Sequence, residues 1–165
     1  MADFVSAAGK SYILRADLNV LGSLQARYGS VSAAVSQADG LAELLKIAAE
    51  MINEHFYAAG SPERLTPAAL GAELSGKDIA PLTAAVAEAV SESLGIGNLK
   101  KKEAGKAGEE TDVIPVGKIR NLAAKIGGYD RRQIGLMPLW LLYDEISDAY
   151  PRKSNDEEDD YEDVI

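Results

Sequence analysis

"SYILRADLNVLGSLQARYG", residues 11–29, changes its period partway along. In its first half Tyr12, Leu14, Ala16 and Leu18 alternate with Ile13, Arg15 and Asp17, the spacing of a strand with one face buried. From Asn19 onward the interval is helical. Val20, Leu21, Leu24 and Tyr28 share a face, Asn19 is placed to cap the helix, and Gly29 follows its last turn. A strand that runs straight into a helix needs a partner strand, and "DFVSAAGK", residues 3–10, supplies one in Phe4 and Val5, with Gly9 and Lys10 as the turn. The expected fold is therefore mainly α with a small N-terminal β-hairpin.

Further along, "VSAAVSQADG", residues 31–40, is small and polar and reads as a connection. The long stretch after it is the best helix of the chain: Leu41, Leu44, Leu45, Ala48, Met51, Ile52, His55, Phe56 and Ala59 form one stripe, stopped by Gly60-Ser61-Pro62. Thr66 with Pro67 opens a short helix, because proline gives up no hydrogen bond in the first turn. Asp78 is placed to cap another, with Ile79, Leu82, Val86, Val90 and Leu94 on one face and Gly95 at its end.

Between Leu99 and Val113 almost nothing is apolar, and Lys100, Lys101 and Lys102 stand together. That stretch has the composition of a flexible, solvated linker. Beyond it Ile119, Leu122, Ala123 and Ile126 take helical spacing, Asp130 opens a turn, and Pro138 starts "PLWLLYDEISDAY", where Leu139, Leu142, Tyr143, Ile146 and Tyr150 share a face before Pro151. The organisation read from this is a hairpin-plus-helix module over 1–96, a linker over 97–112, a short helical C-terminal module over 113–152, and a disordered acidic tail over 153–165. The second helical unit is near the lower size limit for standing alone and should lean on the first. Cutting between Leu99 and Thr111 should leave a folded N-terminal piece.

Composition removes several classes of function. The chain has 165 residues, 47% of them apolar, and a formal net charge of −9. Seven acids fall in the closing "SNDEEDDYEDVI", so the body is nearly neutral and carries no basic footprint for nucleic acid. No run is long and apolar enough for a membrane span, and "MADFVSAAGK" is unlike a signal peptide, which makes the cytoplasm the simplest expected home. With no cysteine and a single histidine, thiolate sites, a Ser-His-Asp triad and multi-histidine metal sites are excluded within one chain. His55 reads as a packed or partly exposed imidazole, and Glu50 with Glu54 as a solvated helix face. "GIG" at 95–97 lacks the preceding strand and later glycine of a dinucleotide fingerprint. Arg131 and Arg132 are too few for a nucleic-acid site, and the acidic tail, which lacks calcium-loop spacing, is open to weak Ca2+ binding, polyanion mimicry or a solubility role, the last being the commonest for such runs. No enzyme activity, cofactor or metal is expected.

Apolar helical surface is what remains. In "LMPLWLLYDEI", residues 136–146, Leu136, Met137, Leu139, Trp140, Leu141, Leu142 and Tyr143 exceed what one face of one helix hides. Leu136, Met137, Trp140, Leu141 and Tyr143 are the candidate partner-binding residues.

The order of parts resembles that of tail assembly chaperones of long-tailed bacteriophages and the related gene transfer agent family tail protein. "GKSYILRADLNVLGSLQARYGSV", residues 9–31, is similar to their opening, through Gly9, Tyr12, Leu14, Leu18, Leu21, Leu24 and Gly29, followed by the helix from Leu41 to Phe56. Ile119 to Gly128, Tyr129 to Gly135 and "LMPLWLLYDE" are similar to their short C-terminal module. The likeness covers most of residues 9–150. It departs from the family at Ile134-Gly135, where Phe-Trp is frequent, and at Met137, where Thr is common.

The resemblance implies a non-enzymatic role, in which 1–96 bind the tape measure protein and self-associate while 113–150 recruit tail tube protein. It also makes Lys100 to Lys102 a candidate product of an adenine-rich frameshift site. The alternative is a structural tail tube or connector subunit, which would appear as a stoichiometric band in purified particles.

Overall fold

The computed structural model describes residues 1–95, 113–126 and 128–150. The expected linker at 97–112, the acidic tail at 153–165 and the stop at Pro151 lie outside the described residues.

β1 (Ala2–Val5) and β2 (Ser11–Leu14) pair antiparallel, with Ala2 opposite Leu14 and Phe4 opposite Tyr12. This register turns Ala2, Phe4 and Leu14 into the core and stacks the Phe4 and Tyr12 rings 6.3 Å apart. The turn closes through Ser6 N–H to the Lys10 carbonyl at 2.8 Å, with Gly9 at a φ of +81°, where a side chain would be strained.

Alternation ends at Leu14, and α1 runs from Leu18 to Tyr28. Its cap is Asp17, not Asn19: the Asp17 carboxylate accepts from the amides of Asn19 at 3.1 Å and Val20 at 3.2 Å. Asn19 points its carboxamide elsewhere, at Glu54 and Arg120. Leu18 is accordingly buried as a helical residue, not as the end of a strand.

Residues 31–37 form a helix, contrary to their reading as a connection. α2 (Val31–Gln37) is capped by Ser30, whose hydroxyl accepts from Ala33 N–H at 3.1 Å, and it buries Val31 and Ala34. Its small side chains hide the helical period while letting it lie close to α1.

α3 (Leu41–Ala58) buries Leu44, Ile47, Ala48, Ala49, Met51 and Ile52. Leu41 is 53% exposed and Ala59 is exposed, so the expected stripe overhangs the core at both ends. α4 (Pro67–Glu73) has the expected Thr66 cap, at 3.1 Å from Ala69 N–H.

A 3-10 turn at Gly76–Asp78 leads into α5 (Ile79–Leu94), which ends on left-handed Gly95. The Asp78 carboxylate does not cap α5. It turns back to Ser75 N–H at 2.7 Å and across to Ala7 N–H at 2.6 Å, tying the hairpin turn to this corner and holding its own proton affinity below the usual carboxylate value.

α6 (Val116–Ile126), α7 (Arg131–Gly135) and α8 (Leu139–Ala149) complete the chain. Asp130 opens α7 as expected, accepting from Gln133 N–H at 2.7 Å. The hairpin rests on α3 and α5, α7 packs on α1, and α8 packs on α5 and α6. Ile119, Ala123, Ile134, Leu139, Leu142 and Ile146 are buried in the same apolar cluster as Leu21 and Met51.

Main-chain and side-chain bonds join 113–150 to 1–95. Gln25 bonds Ile114 twice, its amide donating to the carbonyl at 2.9 Å and its oxygen accepting from the N–H at 2.6 Å. A single cut between Leu99 and Thr111 should therefore leave two pieces that co-elute on size exclusion under native conditions. Separation of the pieces would contradict this packing.

Candidate partner-binding surface

The seat for α8 is built by the segment between β2 and α1. Arg15 N–H donates to the Met51 carbonyl at 3.3 Å, and Leu18 N–H donates to the Met137 carbonyl at 3.1 Å. The Arg15 guanidinium bridges the Asp17 carboxylate, at 3.0 Å, and the Leu136 carbonyl. Asn19 bridges two elements: its amide donates to Glu54 of α3 at 2.9 Å, and its oxygen accepts from Arg120 of α6 at 2.8 Å. Leu139 N–H reaches the Ser93 hydroxyl at 3.4 Å, giving an otherwise open amide at the start of α8 a partner.

Asp17 is 1% exposed, and burial, reinforced by Glu54, pushes its carboxyl up to about 7 against the lowering effect of the Val20 amide and Arg15. The sign follows from proton uptake. A carboxyl near 3.8 in the unfolded chain binds its proton more tightly in the fold, so this group makes stability fall as pH rises from about 4 to about 7. Asp17→Asn keeps an oxygen for the cap and cannot ionise. Chemical denaturation of this variant should show a flatter stability profile between those pH values than the natural chain. An unchanged slope would remove Asp17 as its source.

Of the five candidate residues, the structure divides the roles. Leu136 and Met137 are half-buried, and their carbonyls are the ones taken by Arg15 and Leu18. Trp140 is 36% exposed and Tyr143 40%, one helical turn apart. Leu141 is half-buried.

Trp140 leans on the end of α5, where a Cβ on Gly95 would lie 2.9 Å from its own Cβ. With Leu136, Pro138 and Ala16 it walls a cleft of about 540 Å³ that Arg15, Asp17 and Glu92 also reach. Met137, Leu141 and Tyr143 do not line that cleft. Tyr143 and Tyr150, expected on the buried face with Leu139, Leu142 and Ile146, are both exposed, because α8 turns its narrower Leu139-Leu142-Ile146 edge inward.

Comparison of the chain with protein-family models, with curated proteins and with solved structures found no match.

The remaining sequence candidates are structural in their contacts. Glu50 pairs with Arg27 at 2.8 Å, Glu54 accepts from Asn19, and half-buried His55 lies beside the Phe56 ring, 6.4 Å between centroids. Among the described residues no group of three or more His, Asp or Glu side chains is placed to hold a metal ion. No described helix is long and apolar enough to cross a membrane.

Sequence reasoning missed the polar seat itself: Arg15, Asp17, Asn19, Gln25 and Arg120. Asp17 immediately ahead of Leu18 was a usable cap signal, but Arg120 and Gln25 acquire their roles only from partners about a hundred residues away in sequence.

Proposed function

We propose that the protein is a tail assembly chaperone of a long-tailed bacteriophage, acting in the host bacterial cytoplasm to bind a tape measure protein and bring tail tube subunits to it. The reading rests on the resemblance in the order of hairpin, helices and C-terminal module. One observation carries its binding surface: Trp140 and Tyr143 stand exposed one turn apart on a helix that buries Leu139, Leu142 and Ile146. Large aromatic side chains left in water at the surface of a closed core are what a partner helix covers at low entropic cost. In the division of roles that the resemblance implies, this face within 113–150 receives a tail tube subunit, while 1–96 bind the tape measure protein.

Co-expression with a tape measure protein, sought as a long helical reading frame neighbouring this one, tests the proposal. The expected result is that the tape measure protein moves to the soluble fraction and co-purifies. No gain in solubility and no co-purification would overturn it, and a stoichiometric band in mature particles would favour a tube or connector subunit.

A further inference from the structure

α1, α3 and the segment ahead of α4 enclose an open cleft of about 710 Å³ whose charges differ in depth by sign. Its acids are half-buried and already bonded: Glu50 pairs with Arg27 at 2.8 Å, and Glu54 accepts from Asn19 at 2.9 Å. Its bases, Arg27, Lys46 and Arg64, are exposed. The Arg64 guanidinium donates to the carbonyls of Ser61 at 3.3 Å and Glu63 at 2.6 Å, which holds it in place, and it enters no ion pair among the described residues. Lys46 has only Glu43, in an exposed pair of the kind that contributes little. Tyr57, which also lines the cleft, carries exposed Arg132 of α7 on its ring, 4.9 Å from the guanidinium carbon. Arg132 too is without an ion pair among the described residues, since Asp130, the acid nearest it in sequence, is taken by the cap of α7.

The chain itself holds a segment of the opposite sign, "DEEDDYED" at residues 156–163, with no base in it. At an extended reach of about 3.4 Å per residue, Asp163 can lie up to about 45 Å from Tyr150, against a radius of gyration of about 15 Å for a chain of this size, so these acids can arrive at any face. The end of α8 turns them away from itself. It has Asp144, Glu145 and Asp148 and no base in its last turn, and the open carbonyls of a helix C-terminus add partial negative charge.

We propose that residues 156–163 seat on the Arg27-Lys46-Arg64 cleft of their own chain, the carboxylates on Lys46, Arg64 and Arg132, and Tyr161 against the wall made by Tyr57 and Leu65. A run of acids suits a site whose own acids are already bonded and whose bases are free to make charge-assisted hydrogen bonds. The cleft is then a site for an acidic peptide, covered by the chain's own tail until another acidic segment displaces it. Trp140 and Tyr143 do not line it, so the contact stands or falls separately from the partner surface on α8.

Because the chain has no cysteine, a single nitroxide can be placed on the full-length protein at Val164→Cys. At about 0.05 M salt it should broaden the amide resonances of Asn53, Tyr57 and Arg64, and at about 0.5 M, where screening shortens to a few ångströms, the broadening should be lost. Two further changes to the labelled chain, D156N/E157Q/E158Q/D159N/D160N and R64Q/R132Q, should each abolish it as well. The first alters only residues beyond α8, and Arg64 and Arg132 are exposed, so both variants should keep the natural circular dichroism. A free peptide of residues 154–165 should shift the same three resonances in the neutral-tail variant, since the cleft is then open. Mixing spin-labelled chain with isotope-enriched chain that has no label should give no broadening, because the contact lies within one molecule. Broadening spread evenly over the surface, broadening that survives high salt or either variant, or broadening in the mixed sample, which would give the cleft to the tail of another copy, would each overturn the proposal.

Discussion

Ile134→Ala should lower the unfolding free energy by about 2–5 kcal/mol, the range for deleting a fully packed branched side chain and leaving a cavity. Ile134 is 0% exposed and lies in α7, a helix of one and a half turns that could not hold itself without its tertiary contacts. Its side chain belongs to the apolar cluster that includes Leu21, Met51 and Leu82. The loss should therefore appear in a single cooperative transition covering the helices before and after residues 97–112. Urea denaturation followed by circular dichroism and by Trp140 emission checks this. Two separated transitions, with only the Trp140 signal moved, would show that 113–150 unfolds by itself.

Gly135→Ala should be costly for the opposite reason. A Cβ on Gly135 would overlap the Asn19 carboxamide, lying 2.7 Å from its nitrogen and 2.8 Å from its carbon. Alanine ordinarily improves a helix, so the intrinsic preference runs against the predicted effect by roughly 1 kcal/mol. Asn19 is short and cannot swing aside without dropping its bonds to Glu54 and Arg120. Overpacking of this kind costs about 1–3 kcal/mol, and stranded polar partners add to it. A thermal melt should show the Gly135→Ala chain less stable than the natural one. Asn19→Ala in the same chain should recover part of the loss by making room, a non-additivity expected only for residues in contact. Full additivity of the two changes would contradict the close approach of α7 to α1.

Much of the architecture is legible in the sequence because it is written locally. The period of two in residues 11–14, the Thr66-Pro67 start, the Asp130 turn and the glycines after Tyr28 and Leu94 each act within a few residues of themselves. α2 is not legible, since "VSAAVSQ" buries only Val31 and Ala34 and so shows no apolar stripe long enough to reveal a helix. Competing caps mislead at α1: Asp17 and Asn19 are both good capping residues, and the choice is made by Glu54 and Arg120 drawing Asn19 away.

The surface was read in outline only. Excess apolar content in residues 136–143 identifies the right helix, but which side chains stay outside depends on the angle at which α8 lies on α5 and α6. That angle is fixed by distant contacts such as Leu139 with Ser93 and Gly95 with Trp140. Tyr143 and Tyr150 are outside for that reason, although their spacing from Leu139 and Ile146 is compatible with the inside.

The exposed aromatic face of α8 is the proposed seat of the partner. The most direct test is co-purification of the proposed tail tube partner with the natural chain, with W140A/Y143A and with Leu41→Ala, which removes an exposed apolar side chain far along the chain from α8. W140A/Y143A should fold with natural circular dichroism and lose capture by at least tenfold, since central aromatic anchors are worth about 2 kcal/mol or more each in typical interfaces. Leu41→Ala should capture as the natural chain does. Equal capture by all three proteins would contradict the claim.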